Sequence, residues 1–452
     1  MGYINMKKFN KEKYLKKLRF KKYKRYLYIG IPCILVLLIG IYFAYSKFSV
    51  SKEEEVVRTT VGEFIYGDVV IGAYIDGEYS TTIPGKNDGY IVDKIVCDND
   101  ATGSWNNDSW GIVLTNLTKR TKCNVYFEKY SNAKVIANLA KTDTINFATD
   151  DADRNVRYIG ANPNNYVYFN CSDYNNQSDS TCEKWRIIGV FNNVTKGNGL
   201  KENLVKIIRA ASLGDYSWDN KSTSTGAETP DGKNDWTTAR LNYLLNQGHD
   251  SESIGGSLYY NAKSGTCYYR QNNSTISCDF TSTGLKNDTT RNAIEEVVWN
   301  LGGTGSFTSA SNGLASHFYG NERGTTVYSG RPTTWTGKIG LMYPSDYGYA
   351  TSGGTTKDRA ACLAKELYNW ASSDFSDCKG NDYLLDTNEG QWTLAPDSAA
   401  AYYVFGVNWD GRVYDDGASN TGLVRPALFL KSSILISKGT GTQNDPYQLK
   451  IN

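Results

Sequence analysis

The chain has 452 residues, of which 40% are hydrophobic, 21% charged and 13% aromatic, a balance that excludes an intrinsically disordered protein. Only 2 His are present, which leaves no His-rich metal centre, while 34 Tyr and 43 Gly favour strands and turns over a helical bundle. The net charge of +2 conceals a split: residues 1–26 carry eleven Lys or Arg against Glu12 alone, so residues 47–452 hold 38 basic and 46 acidic residues, net −8. An acidic remainder of that kind offers nucleic acid no footprint.

Residues 27–45 (LYIGIPCILVLLIGIYFAY) contain no charge and match the ~20 residues that cross a hydrocarbon core. Tyr26, Tyr28, Tyr42 and Tyr45 stand near the ends of that run, where interface aromatics collect. The expectation is a basic cytoplasmic tail (1–26), a single transmembrane helix (27–45), a polar stalk (46–60) and an extracellular remainder. The localisation is then the cell membrane, with the cytoplasmic membrane as the partner of residues 27–45. The alternative is a cleaved signal peptide, but its apolar run would exceed the usual ~7–15 residues. Bulky Tyr45 and Lys47 also flank the small residues at 44–46.

Short apolar or alternating runs broken by Asp76-Gly77, Pro84-Gly85 and Asp88-Gly89 make residues 61–130 a small β-sandwich. Residues 131–157 read as a helical linker, opened by Ser131 and closed by the polar stretch TDDADRNVR. Asp150, Asp151 and Asp153 there fit a solvated segment better than a calcium loop, because no EF-hand Gly and Glu follow. In the large unit, 158–452, YVYFN, KWRIIGVF and LVKIIRA read as strands. Helices are expected over 235–247 and 290–301, and KIGLMYPSDYGYA, QWTLAP, AYYVFGV and LVRPALFLK read as strands and loops. Asp410-Gly411 between apolar runs is a hairpin turn.

Cys33 lies in the apolar run, and eight further cysteines lie beyond it. An even number in an exported segment reads as disulfides. Eight cysteines permit 105 connectivities. Nearest-neighbour pairing is the economical one: Cys97–Cys123, Cys171–Cys182, Cys267–Cys278 and Cys362–Cys378. Zinc is disfavoured because no CxxC occurs. No metal and no cofactor is expected.

The stretches YIGANPNNYVYFNCSDY, EKWRIIGVF, GRPTTWTGKIGLMYPSDYGYATSGG, WTLAPDSAAAYYVFGVNWDGRVY and GLVRPALFLKSSILISKGTGTQNDPYQL resemble a family of uncharacterised bacterial membrane-anchored surface proteins. The C-terminal part resembles the C-type-lectin-like fold in the version shared with formylglycine-generating (sulfatase-modifying) enzymes. The resemblance implies an α+β fold class: a lectin-like mixed domain preceded by the small β-sandwich and a single transmembrane helix. Those enzymes bind copper through a cysteine pair just before the closing strand. Arg425 matches that strand, but no Cys follows Cys378, so the oxidase chemistry does not carry over.

His249 and His317 stand alone as exposed loop residues, and the adjacent carboxylates Asp415–Asp416 and Glu295–Glu296 splay apart. No catalytic residue is nominated. A binding role, adhesin- or receptor-like, fits better. The ligand-binding candidates are Tyr402, Tyr403, Phe405, Asn408, Trp409, Asp410, Arg412 and Tyr414, because Tyr, Trp and Arg dominate interfaces. The resemblance implies the same late hairpin as the ligand face, with the tip at 408–412 exposed. The partner is an extracellular glycan or protein. A calcium ion on Asp410, Asp415 and Asp416, a divergent enzyme on the same fold and a structural envelope component are the alternatives.

Overall fold

The structure, a computed structural model, describes residues 69–86, 88–117, 120–220 and 231–451. The tail, the apolar run at 27–45 and the stalk lie outside the described residues. Among the described residues, no helix is long and apolar enough to cross a membrane. Strand accounts for 36% and helix for 15%, so the expected α+β class is replaced by a predominantly β architecture. Contacts divide the chain into two compact units, with the boundary between Tyr130 and Ser131.

In the first unit β1 (Val69–Ile75) pairs antiparallel with β2 (Glu78–Ser80) and parallel with β6 (Thr121–Lys129), which pairs antiparallel with β3 (Tyr90–Cys97). Asp76 and Gly77 join β1 to β2 with φ of 50° and 91°, the left-handed pair that a tight two-residue hairpin requires. β6 buries alternate residues, Thr121, Cys123, Val125 and Phe127. Over them folds a ribbon of β4 (Thr102–Asn106) and β5 (Gly111–Thr115), whose Trp105 meets Phe127 edge-on at 5.2 Å. The expected sandwich is thus one mixed four-stranded sheet under a two-stranded ribbon.

The second unit begins with α1 (Asn132–Ala140), which buries Ala133 and Ile136 in the main core. Residues 131–157 are therefore part of this unit rather than a separate linker. Its larger sheet runs β15 (Ile294–Glu295), β23 (Ala427–Leu430), β11 (Lys201–Arg209), β10 (Glu183–Thr195), β8 (Val156–Tyr158), β7 (Phe147–Ala148). β9 (Tyr166–Phe169) also pairs with β10, and β18 (Ile339–Gly340) with β23. Gly189 in β10 is obligatory: a Cβ there would lie 2.1 Å from the Val156 carbonyl oxygen. The second sheet runs β12 (Asp215–Ser217), β22 (Thr421–Leu423), β19 (Gln391–Pro396), β20 (Tyr403–Val407), β21 (Val413–Gly417). Three ribbons complete it: β13 (Ser264–Tyr268) with β14 (Thr275–Asp279), β16 (Val297–Asn300) with β17 (Thr334–Gly337), and β24 (Leu435–Lys438) with β25 (Gln448–Lys450).

The helices depart from the sequence reading. Asp235 folds its carboxylate onto Thr237 N and Oγ1, a turn of its own, so α2 spans Arg240–Leu245 and not 235–247. The helix expected over 290–301 stops at Ala293: α3 is Asp288–Ala293, capped by the Asn287 side chain. The following residues pair as β15 and β16, because β-branched Ile294 and Val297 find partner strands at Leu430 and Gly337. Two helices replace expected loops and strands, α4 (Ala315–Glu322) and α5 (Pro344–Ala350), the latter with Pro at its first position and the Asp346 carboxylate accepting from Tyr343 N. Two short helices, α6 (Arg359–Leu363) and α7 (Ser376–Gly380), follow.

The four expected disulfides are present: Cys97–Cys123, Cys171–Cys182, Cys267–Cys278 and Cys362–Cys378. The first ties directly opposed residues of β3 and β6, and the last joins α6 to α7. Closing a loop of ~15 residues is worth about 3 kcal/mol in the chain-entropy model. Reduction should therefore lower the midpoint of thermal unfolding, and non-reducing peptide mapping should return these four pairs; a free thiol among the eight would refute the pairing.

Candidate functional site

A cleft of about 390 Å³ opens in the second unit. One wall is the far end of β10, where a register shift between Phe191 and Val194 turns out Asn192 and Asn193. Asn193 sits at φ 53°, as the bulge demands. The opposite wall is Val298, Trp299 and Asn300 of β16, with Tyr319 of α4 and Arg323 just beyond it. The loop before β8 closes one side. Asn155 Oδ1 accepts from Asn192 N at 2.7 Å, and Asn192 Nδ2 donates to the carbonyls of Asp153 and Arg154.

At the base lies Lys206, in the middle of a fully buried run, Leu204–Ile208, on β11. Its Nζ donates to Asp346 Oδ2 at 2.5 Å. It also stands 4.4 to 5.8 Å from the ring centres of Tyr343, Trp299, Phe191 and Phe429. Asp346 accepts a second cation: Arg157 Nη1 donates to Oδ1 at 3.0 Å, while Arg157 Nε donates to Asp151 Oδ2 at 2.7 Å. Lys206, Asp346, Arg157 and Asp151 thus form a chain of alternating charge with no net charge, and none is more than 4% exposed. Asp151, expected in solvent, is part of the core. Burial pushes the Asp346 carboxyl up, but Lys206 and Arg157 outweigh it and hold it down at about 2. Burial also lowers Lys206, with Asp346 offsetting only part of the cost.

Above this base the polar groups interlock. Tyr319 Oη donates to Asp153 Oδ2 and accepts from Asn155 Nδ2, both at 2.6 Å. The Arg323 guanidinium stacks 3.4 Å from the Tyr319 ring centre. Tyr343 Oη donates to Asn300 O at 2.9 Å and accepts from Asn300 N at 3.0 Å. Beside them Glu322 is buried, its oxygens accepting from Ser345 N at 2.9 Å and Ser345 Oγ at 2.5 Å. Burial pushes the Glu322 carboxyl up to about 7, against the opposing pull of Arg323 and Ser345. The side chains of Asn193, Thr195, Lys201 and Asn300 line the cleft and make no hydrogen bond among the described residues. Among the described residues, no group of three or more His, Cys, Asp and Glu is placed to hold a metal ion.

The hairpin read from the sequence is β20–β21, and it lies elsewhere: none of its candidates lines the cleft. Asn408 N donates to Arg412 O at 2.8 Å and Gly411 N to Asn408 O at 2.9 Å, which closes the turn. Trp409 is 57% exposed at the tip. Arg412 pairs with Asp410 at 3.2 Å. From beneath, Tyr347 Oη donates to Gly411 O at 2.8 Å, and Lys379 Nζ to Asp410 O at 2.9 Å. Phe405 is not a ligand residue: it is fully buried, edge-on to Phe307 and Phe318. Tyr402, Tyr403 and Tyr414 are half-buried.

The three carboxylates weighed for calcium have separate partners. Asp410 faces Arg412, and Asp416 accepts from Asn420 Nδ2 at 2.6 Å. Asp415 faces Asp397, whose carboxyl is lifted to about 6 by burial and by that neighbour. His249, expected in solvent, is half-buried and stacked 3.8 Å from Tyr243, and His317 is half-buried on α4.

The sequence reading missed Arg157, Lys206, Tyr319, Arg323 and Asp346. One signal was available: a single charged residue inside the apolar run LVKII is costly unless paired. No family model matches the chain, and neither a curated protein nor a solved structure matches it.

Glu322 gives this region a pH signature. An unfolded Glu ionises near 4.3, and the folded one near 7, so ionisation costs stability progressively between those values. Glu322→Gln cannot ionise. Its unfolding free energy should rise relative to wild type from pH 4.5 to 8, by roughly 1–3 kcal/mol. Parallel stability curves over that range, from urea unfolding, would refute the assignment.

Proposed function

We propose that this chain is a membrane-anchored extracellular binding protein whose second unit takes a small hydroxylated ligand, a saccharide unit, into the Lys206 cleft. The cleft carries this reading. Its volume of about 390 Å³ lies in the range of small-molecule sites. Its carboxamides and hydroxyl both donate and accept, as sugar hydroxyls do. Its walls are held rigid by the interlocked side chains and the charge chain beneath, which lowers the ordering cost of binding. The apolar run at 27–45, with its basic flank, supports the anchor, and four disulfides support an oxidising exterior.

Two measurements test the proposal. Protease added to wall-stripped cells should digest residues 47–452 and spare 1–26; a soluble secreted form starting near Lys47 would overturn the anchor. Titration calorimetry of the full-length protein in detergent should detect saccharide binding that Asn300→Ala weakens about tenfold, close to 1.4 kcal/mol. Folded protein that binds no saccharide of a broad panel would overturn the ligand class.

A further inference from the structure

We infer that the saccharide unit carries a carboxylate, held by Arg323 and Lys201 above the buried Lys206; this rests on the saccharide reading of the cleft. The charged side chains lining the cleft are Lys201, Lys206 and Arg323 against Asp153 alone. They make a basic concavity in a segment, 47–452, whose net charge is −8. A concave, low-dielectric wall concentrates such a field on whatever enters.

The donors are also unspent where a ligand reaches them. Lys201 is exposed and makes no ion pair among the described residues. Arg323 uses Nη1 on Tyr319 O at 3.2 Å and on Glu322 Oε2 at 3.3 Å, and its Nε is 3.8 Å from Asp153, leaving Nη2 open. Asp153 is itself engaged by the Tyr319 hydroxyl. Lys206, almost wholly covered, is neutralised by Asp346 and makes no contact with a ligand, so the open donors are Lys201 and the free edge of Arg323. Arg157, lying under the Phe191 and Tyr319 rings that line the cleft, has a buried Nη2 with no partner. The surplus in this region is of hydrogen-bond donors.

The geometry points to a monoanion and not a phosphate. Arg323 is the C-cap of α4, so the negative end of a helix abuts the same wall. Asp153 stands beside it. A carboxylate matches one guanidinium edge and one ammonium, whereas a dianion would meet both negative groups more strongly.

The test is calorimetry on the full-length protein with a panel of hexoses, each beside its uronic acid and its 6-phosphate. At least one uronic acid should bind ten-fold or more tighter than its parent hexose, with the gap shrinking between 50 and 500 mM salt. Lys201→Ala, at an exposed position, should weaken the uronic acid more than its parent hexose and so narrow that gap. Equal affinity for hexose and uronic acid overturns the carboxylate and leaves the saccharide reading standing. A 6-phosphate that binds tighter than its uronic acid overturns it in favour of phosphate. Folded protein that binds none of the panel overturns both.

Discussion

Everything around the cleft is arranged to keep four charges out of water. Taking an ion into a protein interior costs several kcal/mol, and removing one partner of a buried pair typically costs about 3–5 kcal/mol. Lys206, Asp346, Arg157 and Asp151 meet that constraint only as a set, because each inner member faces two opposite charges. The set also fixes topology. It ties Asp151 in the loop before β8 and Arg157 on β8 to the middle of β11 and to the first turn of α5, with Arg157 and Asp346 189 residues apart. The surrounding rings of Phe191, Trp299, Tyr343 and Phe429 supply what apolar side chains cannot, a negative face for an ammonium.

The same constraint explains why the cleft is polar yet rigid. Asn155, Asn192, Tyr319 and Tyr343 spend their hydrogen bonds on one another, on backbone or on the carboxylates of Asp151 and Asp153, so they form the frame and not the contact surface. The side chains left facing the cleft are Asn193, Thr195, Lys201, Asn300 and the free edge of Arg323, the surface the proposed ligand would meet. Frame and surface interleave on the same elements, Asn192 beside Asn193 on β10 and Tyr319 one turn before Arg323 at the end of α4.

Local signals in the sequence were readable, and distant ones were not. Asp410-Gly411 announces its turn within two residues, and the four cysteine pairs close within short segments, so both can be read along the chain. The run 290–301 could not be read that way: a short apolar segment fits a helix or a strand until a partner chooses, and the partners are Leu430 and Gly337. The mixed α+β expectation failed for the same reason, since two- to four-residue strands gain their identity from tertiary pairing. Phe405 was misplaced because an aromatic in a strand presents one of two faces, and here Phe307 and Phe318 claim it. Lys206 and Asp346 lie 140 residues apart and carry no motif that joins them.

Asp346 has two tasks: it caps α5 by accepting from Tyr343 N at 2.9 Å, and it holds Lys206. Its neighbour Tyr347 supports the turn that presents Trp409. One peptide unit therefore separates the anchor of the cleft from the buttress of the hairpin tip. α5 acts as a strut with both loads at the same end, and a shift in its first turn is felt in two places at once. A lineage that altered Asp346 would have to rebuild both, so the cleft and the tip are bound to drift together or not at all.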